Sequence, residues 1–166
     1  LSLARVLNDQ VNYYIALNTI LCAISLQIGS NLANDYYDAL SGLDDDNRLG
    51  PERVTQAGLV TPKQMKIAML TIFSISFLLG LNLMFKGGLP IMLIGFSGIF
   101  FAWAYTGGPF PLSRYGLGEI FAFLFFGPIA VWGTYYLQTH THSNKALILG
   151  AGPGFLSSAL MAINNL

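Results

Sequence analysis

Charged residues are missing from five long runs of this chain, 10–34, 67–85, 87–113, 120–144 and 146–166, which are 25, 19, 27, 25 and 21 residues long. About 20 mostly apolar residues, wound as helix, cross a hydrocarbon core. Inside lipid every backbone N–H and C=O must be satisfied without water, and a helix does so within its own segment. Five such runs in succession predict an all-α fold, a polytopic membrane bundle with five transmembrane helices. Composition agrees: the chain is 54% hydrophobic and 10% charged, where a soluble domain carries about 25% charge. Its formal net charge of zero gives no footing for nucleic acid as a partner. The single cysteine, Cys22, falls inside the first run and reads as a small buried apolar residue.

The spacing predicts helices over about 11–38, 62–85, 89–106, 117–138 and 145–166. "TPKQ" at 61–64 is a start signal, with Thr61 as cap, Pro62 at the first helical position and Gln64 closing a capping box. "GGPFP" at 107–111 stops the third helix, and "GAGPG" at 150–154 interrupts the fifth. The GxxxG formed by Gly150 and Gly154 reads as plain helix packing. Residues 39–61 form one long polar loop, and long loops in compact folds tend to carry function. No basic segment with a cleavage site is visible, and both ends, Leu1 without a Met and Leu166 within an apolar run, read as cut.

Alternating passage through the bilayer puts Arg48, Arg53, Lys63, Lys66 and Arg114 on one side and Arg5, Lys86 and Lys145 on the other. The excess of basic residues predicts that the first side, which holds the long loop, faces the cytoplasm. At that end of the first helix, Asn31, Asn34, Asp35 and Asp38 are spaced i, i+3, i+4, i+7 and share one helical face. Ionisable groups at such a depth are costly and mark sites. Carboxylate and amide oxygens suit Mg²⁺, which takes one or two carboxylates and completes its shell with phosphate and water. Arg48 and Arg53, flanking "LGPE", match phosphate oxygens. Acid for a metal and arginine for phosphate together are what an Mg²⁺–diphosphate requires. The plainer alternative is a solvated polar loop, and Asp44, Asp45 and Asp46 belong to it, since three adjacent acids share no face. The last helix carries Asn164 and Asn165 toward the same side.

Other residues read less sharply. The aromatics of the third and fourth helices, among them Trp103, Phe121 and Phe125, serve as packing and interfacial belt or as a pocket wall. Glu119, early in the fourth helix, is either a supporting group for the site or an interfacial charge. His140 and His142 fall on the far side from the acids and read as loop residues.

"NLANDYYD" at 31–38, "RLGPERVTQAGL" at 48–59, "AYTGGPFPLSRYGLGEIFAFLFFG" at 104–127, "GTYYLQ" at 133–138 and "INNL" at 163–166 together resemble the UbiA-type intramembrane prenyltransferases. The resemblance covers nearly the whole chain. "RLGPERVTQ" and "YTGGP" are similar to the branch that prenylates 1,4-dihydroxy-2-naphthoate in menaquinone synthesis. It implies a single membrane-embedded domain over 1–166, truncated at both ends, from a bundle of nine helices. One helix would precede Leu1 and three would follow Leu166. It further implies a polyprenyl diphosphate donor, Mg²⁺, and transfer to the naphthoate with loss of diphosphate and CO₂, giving demethylmenaquinone. Asn31, Asp35 and Asp38 match the first metal motif. Asn164, Asn165 and Leu166 begin the second, which in the family continues with Arg-Asp. Asn34, Arg48, Arg53, Asn164 and Asn165 are the expected diphosphate contacts. Tyr105 and Glu119 are candidates for accepting the phenolic proton. Two other readings are carried: a prenyltransferase for another aromatic acceptor, and a fragment of a cation-binding transporter. Transporters place their sites near the midplane on broken helices, whereas these acids sit at a helix end beside an arginine-bearing loop.

Overall fold

A computed structural model describes residues 1–8, 11–41, 54–55 and 57–164, and every described regular element is helical. The helices are α1 (Ser2–Asn8), α2 (Tyr13–Ser41), α3 (Pro62–Ala104), α4 (Gly118–Phe126), α5 (Pro128–Thr139), α6 (Asn144–Leu149) and α7 (Ala151–Asn164), with a short 3₁₀ turn at Leu112–Tyr115. Four apolar helical stretches are long enough to cross a membrane: Tyr13–Leu40, Pro62–Ala104, Gly118–Thr139 and Asn144–Ile163. Large side chains such as Leu17, Leu78, Phe85, Leu93 and Phe155 stay exposed on them, as lipid-facing or partner-facing residues do in a membrane bundle.

The second of these stretches has 43 residues, about 65 Å if straight at 1.5 Å per residue, twice the hydrocarbon thickness. It is not straight. Gly88 has φ 62°, ψ −153°, a conformation open to glycine and costly for other residues. There the chain turns back, so that Phe77 and Phe96 come together with ring centroids 6.3 Å apart. A Cβ on Gly95 would lie 2.4 Å from Met84 Cε. The expected second and third spans are therefore the arms 62–87 and 89–104, and the expected loop around Lys86 shrinks to a single residue of non-helical backbone. The expected start is present in full: Gln64 N–H donates to Thr61 Oγ1 (3.3 Å) and Thr61 N–H donates to Gln64 Oε1 (2.9 Å).

α2 lies against both arms. Asn18 Nδ2 donates to Leu79 O (3.1 Å) on the first arm, and Ser30 Oγ donates to Ala102 O (3.5 Å) on the second. Cys22 is half-buried, its thiol directed at Ser76 O (3.5 Å), which suits a packing role. Ile15, Leu83, Met84, Ile91 and Leu137 form a buried cluster that joins α2, both arms and α5.

The fourth and fifth expected spans are each broken. Gly127 (φ −112°, ψ −111°) separates α4 from α5, and Gly150 separates α6 from α7. The breaks meet: a Cβ on Gly127 would lie 2.6 Å from Gly150 O, and one on Gly150 would lie 2.6 Å from Pro128 Cα. Only bare backbones can approach this closely. Gly154 lies in the same crossing, against Phe123 O, so the GxxxG is used for packing. α1, which the sequence pattern did not announce, packs Ala4 against Tyr135 and Ala146.

Candidate functional site

α2 runs on past its apolar section to Ser41, so the four polar residues at its end are helical, as their spacing requires. They differ in burial. Asn31 is exposed, Asn34 and Asp38 are half-buried, and Asp35 is 8% exposed. A carboxylate removed from water this far must be paired or hydrogen-bonded. Thr55 meets that need: its hydroxyl donates to Asp35 Oδ1. Thr55 is held by a compact turn in which Leu59 N–H donates to Val54 O (3.1 Å) and Gly58 N–H donates to Thr55 O (3.2 Å). The turn leads directly into capped α3.

The end of the second arm closes on the same face. Thr106 Oγ1 donates to Asn34 Oδ1 (2.7 Å), fixing that amide oxygen. Trp103 Nε1 donates to Tyr37 Oη (2.8 Å). Gly107 packs beneath this pair, where a Cβ would come within 2.7 Å of Tyr37 Cε2. The "TGGPFP" segment is tied back by Ser113 N–H donating to Tyr105 O (2.9 Å). Tyr105, one residue before Thr106, turns its hydroxyl toward α7 and donates to Met161 Sδ (3.1 Å). Its ring lies against Gly118 at the start of α4. Met161 is one turn before Asn164, the last residue of α7.

The end of α2, the turn at Thr55, the "YTGGP" segment and the end of α7 thus gather at one end of the bundle. Of the residues singled out by sequence, Asn31, Asn34, Asp35, Asp38, Tyr105 and Glu119 lie at this end, with Glu119 half-buried in the first turn of α4. Arg48, Arg53 and Asn165 lie outside the described residues, as do Asp44, Asp45 and Asp46 and the side chain of Asn164. Thr55, Thr106 and the Trp103–Tyr37 pair were not singled out. "RVTQ" drew attention for its arginine, and nothing local marks its threonine as the partner of a carboxylate 20 residues earlier.

Asp35 and Asp38, with the amides beside them, form an oxygen-only donor set. No group of three His, Cys, Asp or Glu occurs among the described residues. Two carboxylates fit Mg²⁺ when phosphate oxygens and water complete its shell. They would suit a self-sufficient protein cage poorly. Aromatic side chains stand nearby: Phe101 packs at a tilt against Phe121 (4.4 Å) and Phe125 (5.6 Å), and Phe100 lies 6.1 Å from Trp103.

The opposite end is built differently. Asn12 N–H donates to Gln138 Oε1 (2.8 Å) and Gln138 Nε2 donates to Asn12 O (3.3 Å). Trp132 Nε1 donates to His142 Nδ1 (3.0 Å), and His142 Nε2 contacts Asn144 Oδ1 (2.8 Å). An open depression of about 490 Å³ there is lined by Asn12, Ile15, Lys86, Leu137, Gln138 and His140. His140 ends α5 with φ 52° and His142 sits in the following loop, so both histidines are far from the acids, as expected.

Residues 3–166 match the model of the UbiA prenyltransferase family. The chain is 39% identical over 151 residues to a 1,4-dihydroxy-2-naphthoate octaprenyltransferase of Mycobacterium tuberculosis, covering 91% of this chain and 51% of that protein. It is 37% identical over 158 residues to the protein of the same name from Escherichia coli, covering 92% and 51%. A more distant relative is the UbiA prenyltransferase domain-containing protein 1 of Dictyostelium discoideum, 28% identical over 86% of this chain and 45% of that protein. The chain spans about half the length of the curated relatives it matches. No solved structure matches it.

Proposed function

Because the chain belongs to the UbiA prenyltransferase family, we propose that the protein transfers a polyprenyl group from its allylic diphosphate to 1,4-dihydroxy-2-naphthoate. The observation that carries the reading is the gathering of the Asn/Asp end of α2, the "YTGGP" segment and the end of α7 at one end of a membrane bundle. The names of the relatives supply the acceptor. The site would face the cytoplasm from the cytoplasmic membrane, since the alternation of spans in the sequence assigns five basic residues to its side and three to the other.

In the reaction the allylic C–O bond breaks, leaving diphosphate and an allylic cation. An electron-rich ring carbon of the naphthoate attacks that cation, CO₂ leaves from the same carbon, and the product is demethylmenaquinone in its quinol form. Asn31, Asp35 and Asp38 would hold Mg²⁺, which supplies charge neutralisation to the departing diphosphate. Asn34, oriented by Thr106, would present its amide to the diphosphate, and Arg48, Arg53, Asn164 and Asn165 are assigned to it from sequence. Donors placed where charge develops carry the largest share of catalysis in such sites. The aromatic walls formed by Phe101, Phe121 and Phe125 would exclude water and offer ring faces to the cation. Tyr105 and Glu119 are the candidates to accept the phenolic proton. Tyr105 is oriented toward α7 by its hydroxyl hydrogen bond to Met161, and Glu119 lies in the first turn of α4.

An acceptor panel tests the reading. Membranes holding the full-length protein, supplied with a polyprenyl diphosphate and Mg²⁺, are expected to prenylate 1,4-dihydroxy-2-naphthoate and release CO₂. Preference for 4-hydroxybenzoate would move the protein to another branch of the family.

A further inference from the structure

The contact between Thr55 and Asp35 joins two parts of the proposed site that the sequence separates. Asp35 is the most buried of the four polar residues at the end of α2. The hydroxyl of Thr55 reaches one of its oxygens, Oδ1. A carboxylate ligand can bind a metal through one oxygen while accepting a hydrogen bond on the other. Ligating carboxylates are commonly oriented this way, and losing the outer partner typically costs about 10- to 100-fold in metal affinity or activity. Thr55 is not a free-swinging side chain. The turn at 54–59, closed by the Leu59-to-Val54 and Gly58-to-Thr55 hydrogen bonds, aims it, and Gly58 makes the reversal with φ 70°. The capped start of α3 follows within two residues of that turn.

We propose that Thr55 is a positioning residue for the metal site, holding Asp35 through Oδ1 so that Oδ2 is directed to the cation. This rests on the functional reading above. It also assigns the turn that carries Thr55 a purpose: it supports a metal-binding carboxylate through that hydrogen bond. A hydroxyl at residue 55 is needed, and its methyl group is not.

The test uses the full-length protein in detergent with inorganic diphosphate present. Mg²⁺ is titrated while the thermal unfolding midpoint is followed, a readout independent of turnover. Thr55→Val, nearly the same shape without the hydroxyl, should raise the Mg²⁺ concentration giving half of the stabilisation by about 10- to 100-fold. Thr55→Ser should titrate like the natural protein. Should the valine variant not accumulate, Thr55→Ala removes the same hydroxyl with less bulk and decides the matter. A Thr55→Val protein that titrates like the natural one, beside an Asp35→Asn protein that no longer responds to Mg²⁺, would overturn the positioning role alone. An Asp35→Asn protein that responds normally would overturn the metal assignment itself.

Discussion

The two ends of this bundle are both polar and are organised in opposite ways. At the end that carries Asn12, Gln138 and His142, polar groups satisfy one another without a buried charge: Asn12 and Gln138 exchange two hydrogen bonds, and His142 sits between Trp132 and Asn144. These contacts tie α5 to the approach to α2 and to the start of α6, and none requires a ligand. At the other end a carboxylate is buried, and side chains from α2, the turn at 54–59, the end of α3 and α7 converge around it. Burying Asp35 costs free energy that one hydroxyl offsets only in part, since a hydrogen bond to a charged group contributes about 1.5–3 kcal/mol and desolvating an ion costs several. The difference teaches that polarity at a membrane helix end is not in itself a site. Convergence around a costly charge is what sets one end apart.

The comparison is broken or sharpened by substitutions at each end. The largest effect is expected from Asp35→Asn, which keeps an oxygen to accept from Thr55 and removes the charge. Prenyl transfer by the full-length protein should fall more than about 100-fold, beyond the range typical of an outer partner, with the folded protein retained. Thr106→Val comes next. It frees Asn34 without touching a carboxylate, and one hydrogen bond is worth about 0.5–1.5 kcal/mol, so a loss of roughly 2- to 10-fold in kcat/KM is expected. The smallest functional effect belongs to the opposite end. Gln138→Ala should lower stability by about 1 kcal/mol and leave kcat and KM unchanged, measured by thermal unfolding beside steady-state transfer. A Gln138→Ala protein that is stable yet inactive would mean the ends have been read the wrong way round.

Much of this architecture was legible because lipid is a strict solvent. Gaps between charges mark the spans, and the capping box at Thr61 was readable from four residues. The geometry within the spans was less so. The gap between the helices expected at 62–85 and 89–106 placed a break near Lys86, but its reduction to Gly88 alone depends on how the two arms pack. Gly127 gave no clear signal, since glycine followed by proline is tolerated in membrane helices. Its break becomes necessary only when Gly150 is found against it. At the site, the shared face of Asn34, Asp35 and Asp38 follows from helical spacing, a local property. Their partners do not. Thr106 lies 72 residues from Asn34, and Thr55 lies 20 from Asp35. Threonine is ordinary in any loop, so only the tertiary structure makes these two informative.

The most direct measurement is Mg²⁺-dependent binding of a radiolabelled allylic polyprenyl diphosphate to the full-length protein, comparing Asp35→Asn with Gln138→Ala. The account predicts that the first substitution abolishes saturable binding and the second leaves it at the natural level. Undiminished binding by Asp35→Asn, or its loss in Gln138→Ala, would contradict it.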